Sequence, residues 1–265
     1  MAKLTVAGLG IKDLLQMTVE AKEAILSADR VVYLGTDSKN HLLELKKWGV
    51  TNVQSIIELY VDGDIDVQNY QRIYEAILSA AREGGQTVLL VPGHPRIGVS
   101  VVQHLSSRKT GLELEVLPGV SSFDTMINDL HRDPLEKGSL MVDANRALLF
   151  GMILPSTVDC YIYHVCSVGT QNVHVKDAQK DNSWDLLKEH LLKIYEPSKR
   201  IELVCSTTSA KRENQRHSAL LENLEELKSQ VHFGTTMFIQ ADRPKNIDRS
   251  FYSRLLHQGT YEKSN

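Results

Sequence analysis

The sequence predicts an α/β protein: two α/β domains with a cofactor cleft between them. Three observations predict it. Short continuous apolar runs such as Leu4–Ala7 and Thr87–Val91 alternate with segments of helical period. The runs end on turns rich in glycine and proline, and a break at Leu117-Pro118 is followed by a second set of runs and amphipathic segments. Apolar strands separated by helices imply a mostly parallel sheet covered on both faces. The 265 residues suffice for two modest domains. The expected division is 1–117, 118–241 and a tail 242–265.

Taken in order, Leu4–Ala7 reads as a strand ending at Gly8-Leu9-Gly10, and Thr18–Ala28 as a helix capped by Thr18. Arg30–Leu34 is a second strand, Asn40–Lys47 a short helix and Val53–Ile57 a third strand. Asn69–Glu83 is a longer amphipathic helix closed by Gly84-Gly85. Thr87–Val91 is cut off by Pro92-Gly93-His94-Pro95, and a helix from Gly98 to Ser107 leads to a strand at Glu113–Leu117. After Pro118-Gly119-Val120, Ser121 and Ser122 can cap a helix running to Leu130. Strands are expected at Cys160–Val165, Ile201–Cys205 and Thr235–Ile239, with helices at Trp184–Ile194 and Ala219–Leu227. His174–Asp181 reads as an exposed polar loop, and the tail lacks periodicity beyond Phe251–Leu256, its last residues being loose.

Composition narrows the function. Hydrophobic residues make up 42% and charged residues 24%, with a net charge of −3 and a sequence pI near 6.4. Phosphate contacts supply most of a nucleic-acid binder's affinity, and the scattered Lys and Arg form no basic stripe, so no nucleic-acid partner is expected. No apolar run reaches about 18 residues, so no membrane span is expected. The N-terminus enters a strand directly, without a signal region. Cys160, Cys166 and Cys205 form no C-x-x-C pair, which suits the cytoplasm. The ten histidines lack metal-ligand spacing, so no metal is expected.

Gly8-Leu9-Gly10 after the first strand invites a dinucleotide-fold reading, but the third glycine of that fingerprint is Asp13 here. The NAD-enzyme reading loses to a plain tight turn. Val91-Pro92-Gly93-His94-Pro95-Arg96-Ile97-Gly98 is the stronger signal. It lies at the carboxyl end of a buried strand, where open α/β sheets place ligands. Glycine lets a ligand approach the backbone and proline stiffens the loop, although an ordinary strand-to-helix turn fits as well.

Read together, Gly8-Leu9-Gly10, Gly93-His94-Pro95, Leu117-Pro118-Gly119-Val120-Ser121-Ser122 and Thr235-Thr236 resemble the class III methyltransferases of the tetrapyrrole methylase superfamily, in order and spacing over nearly the whole chain. The resemblance implies S-adenosylmethionine folded in the cleft between the domains. Its pocket is then lined by Pro92, Gly93, His94, Ile97 and Gly98, by Ser121 and Ser122, by the strand Tyr163-His164-Val165-Cys166, and by Thr235 and Thr236. The first glycine turn shapes the substrate side. His94 can be read as a general base or as a backbone-positioning group of the pocket, and the second reading is preferred.

Within the superfamily, Gln16-Met17-Thr18, Leu59-Tyr60-Val61-Asp62-Gly63 with Tyr70, and Asp129-Leu130-His131-Arg132-Asp133-Pro134 resemble borosin-type peptide α-N-methyltransferases. That likeness implies iterative methylation of backbone amides in a ribosomally made precursor peptide by a homodimer, for which the long helix Asn69–Glu83 is suitable. The chain ends soon after the methyltransferase core, so a separate precursor peptide is expected.

An amide nitrogen is a poor nucleophile because its lone pair is delocalised into the carbonyl. It must lose its proton as the methyl arrives. A tyrosine, with an ordinary pKa of about 10, can accept that proton as phenolate only beside positive charge or hydrogen-bond donors. The resemblance implies two tyrosines and an arginine in that group. Tyr60 and Tyr70 match the tyrosines, although a pair of half-buried aromatics gripping a loop is the blander reading. The arginine position holds Asp66, and Pro92 replaces a tyrosine often found before Gly-His-Pro. Three expectations follow. Arg96, or less suitably Arg72, supplies the missing charge; Asp66 is itself the base for a different nucleophile; or the chain is a catalytically silent cofactor-binding partner subunit. Methylation of a tetrapyrrole or another small molecule is the alternative enzyme reading.

Overall fold

The computed structural model describes residues 2–35, 38–172, 174–209, 213–244 and 246–257. The first half contains β1 (Lys3–Gly8), α1 (Val19–Leu26), β2 (Arg30–Tyr33), α2 (Ser38–Lys47), β3 (Val53–Ser55), α3 (Asp66–Arg82), β4 (Gln86–Val91), α4 (Ser100–Ser107) and β5 (Glu113–Val116). Its strands form one sheet in the order β3-β2-β4-β1-β5, parallel throughout. Side chains alternate across a strand, and here each face finds its own helices. Leu4, Val6, Leu89 and Val91 pack with Ile73, Ile77, Val101 and Leu105 of α3 and α4. Val31, Tyr33, Val88 and Leu90 pack with Ala21, Ile25 and Leu45 of α1 and α2. Thr18 caps α1 by accepting from the Ala21 N–H at 3.1 Å.

The second half contains α5 (Ser122–Asp129), β6 (Ser139–Asp143), α6 (Ala144–Leu149), β7 (Asp159–Tyr163), α7 (Trp184–Leu192), β8 (Arg200–Cys205), β9 (Gln215–Leu220), β10 (Thr236–Ile239) and α8 (Arg249–His257). The sheet order is β6-β7-β10-β8-β9. Only β6–β7 is parallel; the other pairs are antiparallel. On one face, Met126 and Leu130 of α5 and its end meet Tyr161, Val204 and Phe238. On the other, α6 and α7 bury Ala144, Ala147, Trp184, Leu187 and Leu191 against Ile162, Leu203 and Met237.

Several boundaries differ from expectation for identifiable reasons. The helix expected at Ala219–Leu227 is instead the end of β9 followed by a 3₁₀ segment, Leu221–Gln230. Leu221, Leu224 and Leu227 are buried at a spacing of three, the 3₁₀ period rather than the α period. The strand expected at Val53–Ile57 stops at Ser55 and turns into a 3₁₀ segment at Ile57–Leu59. α3 begins at Asp66, a turn earlier than expected; an acidic side chain suits the positive end of the helix. The tail forms α8, and the looseness expected of its last residues falls on 258–265, outside the described residues.

The loop expected to be exposed at His174–Asp181 is partly buried. His174 and Ala178 are covered, and His174 Nε2 lies 2.9 Å from Asp181 Oδ2. The same segment straps the two halves together. Ile65 and Asn172 form an antiparallel bridge, the Asp66 N–H donates to Gln171 O at 3.0 Å, and the Val175 N–H donates to Asp62 Oδ1 at 2.5 Å.

Candidate active site

The glycine turns meet at one point. A Cβ on Gly8 would lie 2.3 Å from Gly93 O, 3.0 Å from Pro95 Cδ and 3.4 Å from Gly119 Cα. Only glycine lets the end of β1 touch both the β4–α4 loop and the link to the second half. The Gly93 N–H donates to Gly10 O at 2.9 Å and closes the junction. Within the loop, the Ile97 N–H reaches His94 O at 3.0 Å, and His94 Nδ1 accepts from the Arg96 N–H at 3.0 Å. That bond occupies one ring nitrogen of His94 in shaping its own loop.

Ser121 is buried and consumed by a capping box. Its hydroxyl donates to Asp124 Oδ2 at 2.6 Å and accepts from the Asp124 N–H at 3.3 Å. Ser122 instead stands 3.5 Å from the Tyr163 hydroxyl, which burial pushes up to about 12. Thr235 and Thr236 are buried at the head of β10, where Thr235 Oγ1 accepts from the His232 N–H at 2.8 Å. Cys166 Sγ lies 3.6 Å from Phe233 O, so the turn after β7 and the approach to β10 share one floor. Opposite them, the ring of His164 faces the loop: a Cβ on Gly98 would lie 3.4 Å from His164 Nε2. Thus Ser122, Tyr163 and His164 stand together opposite Gly98 of the loop, and the turn after His164 reaches the approach to Thr235 and Thr236. A close-approach glycine loop with hydroxyls opposite it suits a ligand with polar groups along an extended body. The close glycine backbone and the hydroxyls of Ser122 and Tyr163 are chemically compatible with the polar ends of S-adenosylmethionine.

Tyr60, Asp66 and Tyr70 come together on the neighbouring wall. The Tyr60 hydroxyl donates to Asp66 Oδ1 at 2.8 Å, and the two tyrosine rings meet edge to face at 6.3 Å. Burial first, then the Asp66 hydrogen bond and charge, push the Tyr60 phenol well above the tyrosine range. Burial and the charge of Asp66 also raise Tyr70, partly offset by its hydrogen bond to Ser100. Asp66 is raised by burial, opposed by the Tyr60 hydrogen bond and by the charge of His164 across the seam. Both phenols are therefore held neutral.

The arginines lie elsewhere. Arg72 donates from Nε to Leu59 O at 3.1 Å, pairs with Asp64 at 2.9 Å and bonds Asn69 Oδ1. Arg96 is exposed and donates to Ser106 Oγ at 3.0 Å, near the far end of α4 from Ser100. It is not among the charges that Tyr60, Asp66 and Tyr70 feel.

Sequence reasoning missed Asp143, whose Oδ2 lies 2.7 Å from His164 Nδ1. Its available signal was an Asp placed as N-cap before Ala144-Asn145-Arg146-Ala147. The first glycine turn borders a polar cavity of about 300 Å³ lined by Lys12, Gln16, Asp124, Asp129, Ser206 and Asn214, which also escaped prediction. Among the described residues, no helix is long and apolar enough to cross a membrane.

Known proteins resemble this chain in sequence and fold. Residues 3–143 match the family model of the Tetrapyrrole (Corrin/Porphyrin) Methylases. A methyltransferase/ribosomally synthesized type II borosin cyclic peptide precursor of Phlebiopsis gigantea is 30% identical over 178 residues, covering 66% of this chain and 32% of that protein. A type I counterpart from Serendipita vermifera subsp. bescii is 35% identical over 170 residues, 63% of this chain and 41% of that protein. The chain thus spans well under half the length of these relatives. Uroporphyrin-III C-methyl transferase from Thermus thermophilus, solved with S-adenyl homocysteine, has the same fold at a TM-score of 0.60 and 17% identity, covering 90% of this chain and 97% of that one. With its glycine-lined cleft and the family match over more than half its length, this chain belongs to the tetrapyrrole (corrin/porphyrin) methylase family of S-adenosylmethionine-dependent methyltransferases.

Proposed function

We propose that the chain methylates backbone amide nitrogens of a ribosomally made precursor peptide supplied as a separate chain, working in the cytoplasm as a homodimer. The observation that carries this reading is the Tyr60–Asp66 hydrogen bond beside Tyr70, on the wall next to the cofactor cleft. The borosin precursors named above support the choice of a peptide.

When bound, S-adenosylmethionine supplies an electrophilic methyl on a sulfonium. Pro92, Gly93, His94, Ile97, Gly98, Ser122, Tyr163, His164, Thr235 and Thr236 would hold it, with Ser121 fixing the helix beneath. The protein's task is to align acceptor and methyl, and to take one proton. A free phenolate is disfavoured here by burial and by the Asp66 carboxylate that accepts the Tyr60 hydrogen bond. A relay needs none. As the nitrogen's electron pair forms the N–C bond, the N–H proton passes to the Tyr60 oxygen and the proton of Tyr60 passes to Asp66. The methyl would come from the cofactor's sulfonium, whose sulfur would keep the electron pair of the bond given up. Tyr70, bonded to Ser100, packs edge to face on Tyr60 and fixes its ring. Arg96 and Arg72 have no part in this relay.

The test combines labelled cofactor with candidate precursor peptides, and fragmentation mass spectrometry locates the methyl. Backbone N-methylation that is lost in Asp66→Asn is expected. Label on a side chain or on a tetrapyrrole, with the backbone unmodified, would overturn the reading. A chain that binds cofactor and transfers nothing would mark a silent partner subunit instead. Sedimentation in solution checks the dimer.

A further inference from the structure

Two of the three groups on the relay wall ride on one helix. Asp66 is the first residue of α3, and Tyr70 lies one turn further along it. Tyr60 does not belong to the helix. It follows the 3₁₀ segment Ile57–Leu59 and precedes a turn at Gly63, whose φ of +88° lies in the left-handed region that glycine tolerates. A segment of this kind has no ladder of its own, so its place depends on where its backbone groups find partners.

Those partners come from α3. Asn69 is fully buried, and its amide bonds the Val61 backbone twice: Oδ1 accepts from the Val61 N–H at 2.8 Å, and Nδ2 donates to Val61 O at 3.0 Å. Arg72 donates from Nε to Leu59 O at 3.1 Å, pairs with Asp64 at 2.9 Å and bonds Asn69 Oδ1. Residues three apart on a helix are neighbours on its surface, so the two side chains grip the residues on either side of Tyr60 together. The residue type is specific. A carboxamide presents an acceptor and a donor side by side, the complement of one residue's backbone N–H and C=O. Aspartate lacks the donor and leucine lacks both. A buried amide is costly unless it is hydrogen-bonded, and here both of its ends are used.

We propose that Asn69, braced by Arg72, is the positioning residue that sets Tyr60 against Asp66. It acts through Tyr60 and touches no reacting atom, and the proposal rests on the relay described above. The Tyr60 hydroxyl meets Asp66 Oδ1 at 2.8 Å, and a shift of the loop by about 1 Å would take that contact out of hydrogen-bond range. With Leu59 and Val61 both fastened to the helix that carries Asp66, donor and acceptor move as one body. Arg72 thereby has a task that is not proton transfer: it holds the loop, and Asp64 neutralises its charge.

The test begins without substrate, on the full chain. Burial raises the Asp66 carboxyl and the Tyr60 hydrogen bond opposes that rise; the charge of His164, which also lowers it, stays in every variant. The Asp66 midpoint, read by carboxyl-carbon NMR, therefore reports whether the Tyr60 bond is made. Asn69→Ala should raise it, and the double variant with Tyr60→Phe should raise it no further than Tyr60→Phe alone. Ile77→Ala removes a fully buried side chain from the same helix and should leave the midpoint unmoved. Arg72→Lys keeps the charge but loses the planar fork, and should shift the midpoint the same way as Asn69→Ala. A midpoint unmoved in Asn69→Ala, or in Arg72→Lys where Asn69→Ala does not fold, overturns the proposal. So does a rise that adds to that of Tyr60→Phe, or one that Ile77→Ala reproduces. With peptide present, Asn69→Ala should lower kcat about 100-fold while the Kd for cofactor is unchanged. An unchanged kcat, or an equal loss of cofactor binding, overturns the positioning role. If wild type leaves the peptide unmodified, the peptide reading fails while the carboxyl titration still decides the role of Asn69.

Discussion

The two sheets keep their cores in different ways. In the first, parallel strands are covered on both faces by aliphatic side chains, so strand, core and sequence run coincide. The second holds charge inside. Asp159 is fully buried, takes Arg132 through both carboxylate oxygens at 2.8 and 3.0 Å, and accepts the Ala241 N–H at 2.8 Å. Glu202, 7% exposed, takes Arg216 at 2.6 Å. Both halves have apolar cores, but the second adds buried ion pairs between residues of different elements. The second kind of half is harder to read and easier to break at a single residue.

Breaking that difference starts at Arg132. Arg132→Leu strands the Asp159 carboxylate and should cost about 3–5 kcal/mol. The chain has two tryptophans, Trp48 in the first half and Trp184 in the second. In denaturant, the Trp184 signal should be lost first in this variant; coincident transitions would erase the contrast between the halves. Leu89→Ala, in the centre of the parallel sheet, should cost about 2–5 kcal/mol and move the Trp48 transition instead.

Asp66→Asn should lower methyl transfer about 100-fold, measured at saturating cofactor. It should also raise the thermal midpoint at neutral pH. The Asp66 carboxyl is raised on folding, so its contribution to stability is present below the unfolded pKa and is lost as pH rises through the folded one. An amide does not ionise and escapes that loss. The same shift sets the pH profile. Transfer should rise with pH through a midpoint above the ordinary carboxylate value. Tyr60→Phe should abolish transfer and, because it removes a bond that lowers Asp66, should move the Asp66 carboxyl higher still in an NMR titration without substrate; a carboxyl unmoved in that variant would separate the two groups. The smallest effect is expected at the surface, where Glu225→Gln removes the ion pair to Lys188 and should cost no more than about 1 kcal/mol by denaturant titration.

The legibility of the sequence follows the same division. The inner strands β1, β2 and β4 of the parallel sheet are visible as apolar runs. β6 (Ser139-Leu140-Met141-Val142-Asp143) and β9 (Gln215-Arg216-His217-Ser218-Ala219-Leu220) are not, because they lie at sheet edges and carry polar residues. Their partners make them strands. At the candidate site, Tyr60, Asp66 and Tyr70 come together as a group that is legible because its members lie close in sequence. Asp143 escaped because it acts on a residue 21 positions away. The neutrality of Tyr60 was half foreseen from the carboxylate at position 66, but the burial that dominates it belongs to the fold.

The strap made by Gln171, Asn172 and Val175 gives the molecule a mechanical property. Asp66 hangs from Gln171 of the opposite half by its own backbone N–H, and its neighbour Ile65 pairs with Asn172. Any hinge opening that admits a bulky guest must stretch this seam, and stretching it moves the carboxylate. The acceptor side and the cofactor side are yoked like two arms of one lever. The exchange rate of a single amide proton, that of Asp66, is therefore a gauge of how far the jaws are apart.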